Sequence, residues 1–495
     1  MSEIDLTKPS RQSIKGLVFI FIISIQQGIR MFWALIAVLV LQRNIFDNKL
    51  VIGLAVAAVL ILLVVHSILY YLNFYFYVSG GEFILKKGYL RKKVLAIPLD
   101  RIQSVNTKQN LVQQILNVVS LEIDTAGTVG KELKIHALEK SFANELQNQI
   151  RVKKKLLTSD ETADEKETTE TTEMLILQLT PPDLLKIGIS QNHLRTALII
   201  IAFGFQIFQQ IQDLFKDKAE EYSNEFFNFM SNSNWALITF LVIFFLLISI
   251  AYSLFSTVFK YFDFKLLKKE DAYRIESGLL NKRNVVIPLN KVQELNWETG
   301  PIKQLFSIYN LVFKQAVSGQ NRRQQVVDAP GCLSKHLNLL KTDLFGENQL
   351  SSTSKFYTNN YYFRRLWMYF GWLPIILATP FLYAEWLFWG GAVLWLLLSA
   401  GYSWLVLKKR YFRINNEQIR ISGGAISHKW KQMELYKIQA VEFRQTIFQK
   451  HRKLASLHLM NAAGSMTIPF IDENLAKQIY DYLLYHTEIS EKKWM

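Results

Sequence analysis

The chain of 495 residues has a single cysteine, Cys332. That excludes a disulfide framework and any zinc or iron–sulfur centre built from several thiolates. Cys332 follows Pro330-Gly331 in a turn with no histidine pattern beside it, and reads as an inert thiol. No phosphate-cradling GxxxxGK[ST] loop is present, and the isolated glycines read as turn signals. The eight histidines are scattered; only His451 and His458 are close, and no carboxylate-rich stretch accompanies them. No metal or other cofactor is therefore expected. No acidic residue lies mid-span in the long apolar runs, which argues against a proton or ion relay. The first apolar run starts at Gly16 without a small-residue cleavage pattern, so it is expected to stay as an anchor.

What is present is hydrophobicity together with positive charge. Half the residues are hydrophobic, while 57 Lys and Arg against 41 Asp and Glu leave a formal charge of +16. A mean hydropathy of +0.11 with 20% charged residues requires the apolar residues to be concentrated. They are, in six runs at 16–41, 50–72, 195–215, 235–258, 366–383 and 386–407. About 20 apolar residues cross a bilayer core as a helix. The runs form three pairs with short connections, which predicts three transmembrane hairpins. Tyr70, Tyr71, Trp235, Trp367 and Trp386 sit near run ends, as interfacial aromatics do. Lys and Arg concentrate in the N-terminal tail and in the long segment after each pair. Both termini and those segments are therefore expected in the cytoplasm, with the hairpin tips outside.

Three copies of one unit are visible. They read GYLRKKVLAIPLDRIQSV from Gly88, GLLNKRNVVIPLNKVQEL from Gly278 and GAISHKWKQMELYKIQAV from Gly424. Each glycine is followed at one fixed spacing by Pro98, Pro288 or Glu434, and at another by Gln103, Gln293 or Gln439. Arg101, Lys291 and Lys437 stand two before those glutamines. An alternating strand ending near a glycine follows each block, and helices are expected at 139–155, 334–343 and 472–486, the last with Asp472 as its N-cap. Many short strands and one helix suggest a small antiparallel barrel or sandwich closed by a C-terminal helix. Met433-Glu434-Leu435 replaces Ile-Pro-Leu in copy three, so its strand is expected to enter differently.

These blocks resemble the second class of bacterial pleckstrin-homology-like (PH-like) domain, also known as the membrane-flanked domain or domain of unknown function 304. The resemblance implies a PH-like fold of about seven strands and one helix in each copy, and transfers no catalytic residue. The expected fold class is an α+β membrane protein with six transmembrane helices in three hairpins, each followed by a cytoplasmic PH-like domain. The layout is a tail (1–15), hairpin one (16–72), domain one (73–156) and an acidic Thr-rich linker (157–173). An interfacial elbow (174–194), hairpin two (195–258) and domain two (259–345) follow. A linker with an aromatic elbow (346–365), hairpin three (366–407) and domain three (408–495) complete it.

Basic spots are the candidate lipid or partner contacts. They are Arg91-Lys92-Lys93, Lys282-Arg283, Arg322-Arg323, His428-Lys429, and Lys450 with Arg452 and Lys453. A tethered domain holds such residues within a Debye length of anionic headgroups, worth about 1 kcal/mol per cation. The bland reading is that they only follow the positive-inside bias. Gln26, Gln27 and Arg30 share one face of the first run, with His66 at similar depth; they are either inter-helix hydrogen bonders or an intramembrane site. The expected function is a non-enzymatic scaffold or adaptor in envelope maintenance or stress response. It would bind proteins or anionic headgroups through several weak surfaces. Homo- or hetero-oligomers and pairing between open sheet edges fit this reading, whereas nucleic acid does not. The alternative is a lipid-handling or small-molecule transporter working through the six-helix core.

Overall fold

The computed structural model describes residues 8–41, 49–125, 133–158, 173–214, 235–269, 271–316, 326–347, 349–382 and 386–492. Copy one begins with β1 (Tyr75–Ser79), β2 (Glu82–Lys87) and β3 (Lys93–Pro98). A 3-10 turn at Leu99–Arg101 leads into β4 (Ile102–Gln109), β5 (Val118–Thr125) and β6 (Leu133–Glu139). Strand β7 (Met174–Gln178) precedes copy two. Copy two repeats the order as β8 (Lys265–Lys269), β9 (Ala272–Ser277), β10 (Lys282–Pro288), β11 (Val292–Thr299), β12 (Ile308–Gln315) and β13 (Val326–Leu333). After β14 (Phe356–Tyr357), copy three has β15 (Tyr411–Ile414), β16 (Gln418–Gly423), β17 (His428–Glu434), β18 (Ala440–Arg444), β19 (Leu454–Asn461) and β20 (Gly464–Asp472).

Alternation builds the cores. In β1 and β2 the side chains of Phe76, Val78, Phe83 and Leu85 point inward, and Tyr75, Tyr77, Glu82, Ile84 and Lys86 face the other way. They share one core with Leu121 and Ile123 of β5 and with Ala143, Leu146 and Ile150 of helix Lys140–Thr158. Copy three repeats this arrangement with Phe412, Ile421, Leu457 and Ile468 against Ala476, Ile479 and Leu483 of helix Glu473–Ile489. Asp472 caps that helix as expected, accepting from the backbone N–H groups of Asn474 and Leu475. The corresponding helix of copy two is Ser334–Phe345.

Hydrogen bonding does not respect the copy boundaries. Strands β1-β2-β3 form a three-stranded sheet, and β18-β19-β20 form another. Two larger sheets run β6-β5-β4-β10-β9-β8 and β13-β12-β11-β17-β16-β15-β14. The fourth strand of one copy thus pairs with the third strand of the next. The chain accordingly divides into two compact units, residues 1–175, 265–288 and 317–322, and residues 176–264, 289–316 and 323–495. Copy two gives three strands to each.

Copy three's altered block does not change its path. Strand β17 ends at Glu434, and Leu435–Lys437 makes the same 3-10 turn as Leu99–Arg101 and Leu289–Lys291. Glu434 can replace proline because this position ends a strand, where a proline is tolerated but not required.

Three helices are long and apolar enough to cross a membrane among the described residues: Val242–Tyr261, Tyr361–Leu382 and Phe388–Lys409. Helices Gly16–Leu41, Lys49–Leu72 and His193–Leu214 occupy the other expected runs. The expected elbow at 174–194 is β7 followed by helix Pro181–Ile189, started by Thr180 and Asp183 as a capping box. The aromatic elbow needs correction: Tyr361 and its neighbours already begin the helix. That helix widens at Met368–Trp372 into a π segment. The Trp395 indole donates to the Phe370 carbonyl there at 2.8 Å, supplying a partner where the helical ladder is disturbed.

Candidate membrane-facing site

The repeated glycine opens the turn between the second and third strands. Gly88, Gly278 and Gly424 have φ of +95°, +110° and +102°. A Cβ on each would stand 2.3, 2.1 and 2.1 Å from the carbonyl oxygen three residues on. Only glycine fits, because both the backbone angle and the close approach forbid a side chain.

In copies one and three this turn reaches back to the incoming helix. His66 of helix Lys49–Leu72 bonds through Nδ1 to Tyr89 Oη at 2.9 Å. Lys409, the last residue of the third pair, donates to the carbonyls of Ala425 and Ile426. The apex beyond each contact is apolar: Leu90 is 87% exposed and Ile426 is 66% exposed. Arg91, Lys92 and Lys93 follow Leu90, all exposed, and exposed Lys429 follows Ile426. Copy two's turn differs. Its Leu279 and Leu280 carbonyls accept from Gln114 Nε2 of copy one, and Lys282 and Arg283 lie opposite Gln109 and Lys108 in the shared sheet. Lys282 is exposed and Arg283 half-buried.

A second apolar knuckle follows the fourth strand of each copy. Helix Leu111–Ile115, helix Pro301–Leu305 and helix Ile447–His451 hold it. Ile115 is 82% exposed, Leu305 82%, Ile447 85% and Phe448 75%. Asn110 and Thr446 cap the first and third of these helices through capping boxes. Asn117, Ser307 and Lys453 end the knuckles in the same left-handed conformation. The knuckles lie beside helices that precede the copies. Leu111–Ile115 is near helix Gly16–Leu41, and Pro301–Leu305 is near helix Pro181–Ile189. Arg452 stands 4.3 Å over the ring of Tyr361. Lys450, His451, Arg452 and Lys453 are all exposed. An aromatic cleft of about 610 Å³ opens nearby, lined by Phe363, Trp367, Trp372 and Trp404 with Arg364 among them.

His428 is not a cation at neutral pH. Burial, then Lys409 and Lys355, push its imidazole down to about 4. It stacks on Trp430 at 3.9 Å and bonds Ser422 Oγ at 2.7 Å. Lys429 pairs with Glu298 across the joint at 3.2 Å. Burial alone would raise the Glu298 carboxyl, but Lys303 and Lys429 hold it below the usual carboxylate range. Arg322 and Arg323 lie outside the described residues. Gln26, Gln27 and Arg30 are exposed on helix Gly16–Leu41, and His66 is committed to Tyr89. The apolar apices are invisible to a search for charge, although Gly-Tyr-Leu-Arg-Lys-Lys shows the signal: an apolar residue set between the turn glycine and the basic cluster.

The joints are polar underneath. Lys437, 5% exposed, donates to Val292 O at 2.7 Å and pairs with Glu434. Trp297 stacks on Trp430 at 5.9 Å, with Lys341 Nζ 4.2 Å from the Trp297 ring. Burial, then Arg420, lowers the Lys341 ammonium to about 7. Burial raises the Cys332 thiol, so it stays protonated and unreactive.

Repeated six-stranded units, each closed by a helix and preceded by apolar helices, define the class. A family model described as a bacterial PH domain matches residues 23–154, 225–332 and 369–487, and the chain belongs to that family. Among curated proteins it is similar to the UPF0699 transmembrane protein YdbT of Bacillus subtilis (strain 168). The two are 24% identical over 419 residues, covering 82% of this chain and 83% of that protein. The chain is a membrane protein with three bacterial PH domains.

Proposed function

We propose that the protein is a non-enzymatic scaffold of the bacterial inner membrane, in service of the cell envelope, that holds its PH-like domains against anionic lipid headgroups. Six spans in three hairpins would place both termini and all three domains in the cytoplasm. The observation that carries this reading is the turn at Leu90 and Ile426, an exposed apolar apex flanked by cations and bonded, through Tyr89 to His66 in copy one and to Lys409 in copy three, to the apolar helix that leads into its copy. Burying a leucine side chain stabilises by roughly 2 kcal/mol. Each neighbouring cation adds about 1 kcal/mol at an anionic surface. Such a turn fits the level where acyl chains meet headgroups.

The test uses the full chain in lipid nanodiscs. Leu90→Cys and Ile426→Cys would each carry a polarity-sensitive fluorophore, the native Cys332 being buried. A blue shift that grows with phosphatidylglycerol content and survives moderate salt supports headgroup reading. A shift independent of headgroup would leave apolar insertion alone, and no shift in any disc would overturn the proposal.

A further inference from the structure

The two internal joints share one register. Lys282 faces Gln109 and Arg283 faces Lys108 at the first; His428 faces Thr299 and Lys429 faces Glu298 at the second. Aligning the copies on Gly88, Gly278 and Gly424 makes these the same two pairs. Each joint joins the fourth strand of one copy to the third strand of the next. The array therefore ends with two strands of the same kinds, β3 and β18, each at the margin of a three-stranded sheet.

The residues that joints bury are exposed at these ends. Lys291 and Lys437 are 3% and 5% exposed, whereas the matching Arg101 of copy one is exposed. Gln293 is 1% exposed at the second joint, and the matching Gln439 of copy three is exposed. Val94, in the place of the stacked Trp430, is 60% exposed. The opposite margins of the sheets are handled otherwise. Ser10 bridges Phe76 of β1, Ser13 N donates to Ala137 O of β6, and Asn359 N donates to Phe470 O of β20.

We propose that β3 of one molecule pairs with β18 of a second copy of this chain, in the register of the internal joints. Lys93 then faces Arg444, Val94 faces Phe443 and Leu95 faces Glu442. Arg101 donates to the Ile438 carbonyl, as Lys437 does to Val292. The Lys93–Arg444 pair is cationic, but so is Arg283–Lys108 at the first joint. Continuity with two existing interfaces selects a second copy as the occupant, by strand addition. The contact is head-to-tail, so it closes into a ring or continues as a row. It does not depend on lipid recognition.

The test co-expresses two tagged full-length chains, one Lys93→Cys and one Arg444→Cys, and oxidises the membranes mildly. Directly opposed strand residues have Cα atoms about 4.5–5.5 Å apart, within disulfide reach. A covalent product carrying both tags is expected, at least about 5-fold above Leu95→Cys with Arg444→Cys, where strand residues two apart separate by about 7 Å. Arg283→Cys with Lys108→Cys in one chain serves as the internal control. Closure of the control without an intermolecular product, or equal products from both pairs, would overturn the proposal. So would a cross-link to a different polypeptide. Independently, Val94→Asp and Arg101→Ala should each reduce co-purification of two tagged copies about 5-fold, and unchanged co-purification would also overturn it.

Discussion

Replacing Trp297 by alanine should be among the most damaging changes in the second unit. The side chain is 3% exposed and lies on β11 opposite Trp430 of β17. Truncating a buried tryptophan typically costs about 3–5 kcal/mol. The loss falls at the upper end here, because Lys341 also loses the ring 4.2 Å from its ammonium. Trp430 is half-buried, so Trp430→Ala should cost about half as much. The two rings stack at 5.9 Å, and a double-mutant cycle should return a coupling of about 0.5–1.5 kcal/mol. The assay is unfolding of detergent-solubilised full-length protein, followed by loss of soluble material and by protease cleavage within 289–316. A Trp297→Ala penalty below about 1 kcal/mol, or strictly additive losses, would refute the view that this stack holds copies two and three together.

His428 gives a pH signature. Its folded value of about 4 lies below the ordinary 6.5, so its contribution is full above pH 6.5 and is lost as pH falls toward 4. That shift sets an upper limit of about 3 kcal/mol, which solvent screening of a half-buried ring reduces to about 1–2. His428→Gln should flatten the unfolding midpoint across this window; a profile identical to wild type would contradict it. Gly424→Ala should cost about 2 kcal/mol or more, from strain at φ +102° and the approach to Ser427 O, read as a lower midpoint and faster proteolysis at the turn. Asp472→Ala removes the cap of the last helix and should cost about 1 kcal/mol, with Asp472→Asn restoring most of it.

Much of each copy is legible in the sequence because local chemistry dictates it. The glycine turn, the strand alternation and the Asp472 cap all follow from neighbours a few residues away. The pairing between copies does not. A period of two tells which face of β4 is inward but not which strand lies at its margin, so the β4–β10 and β11–β17 joints emerge only in the structure. Charge counting likewise places His428 among the cations. Burial, then Lys409 and Lys355, none of them marked by its neighbours in the sequence, are what keep it neutral. A helix start is hidden where an aromatic stretch, Tyr361–Phe363, looks interfacial but continues straight into a helix long and apolar enough to cross a membrane.

Because both couplings use one register, they are interchangeable. A chain lacking the middle copy would still offer β4 to β17 in the same register, with Lys429 then meeting Lys108 and Trp430 meeting Thr107, and a chain with a fourth copy would extend the series without new geometry. By contrast, cutting between the copies as the repeats define them would open a sheet at every cut. Copy number in such a protein can change by loss or duplication of a copy, because the two strand edges left at the cut are of the kinds that already pair.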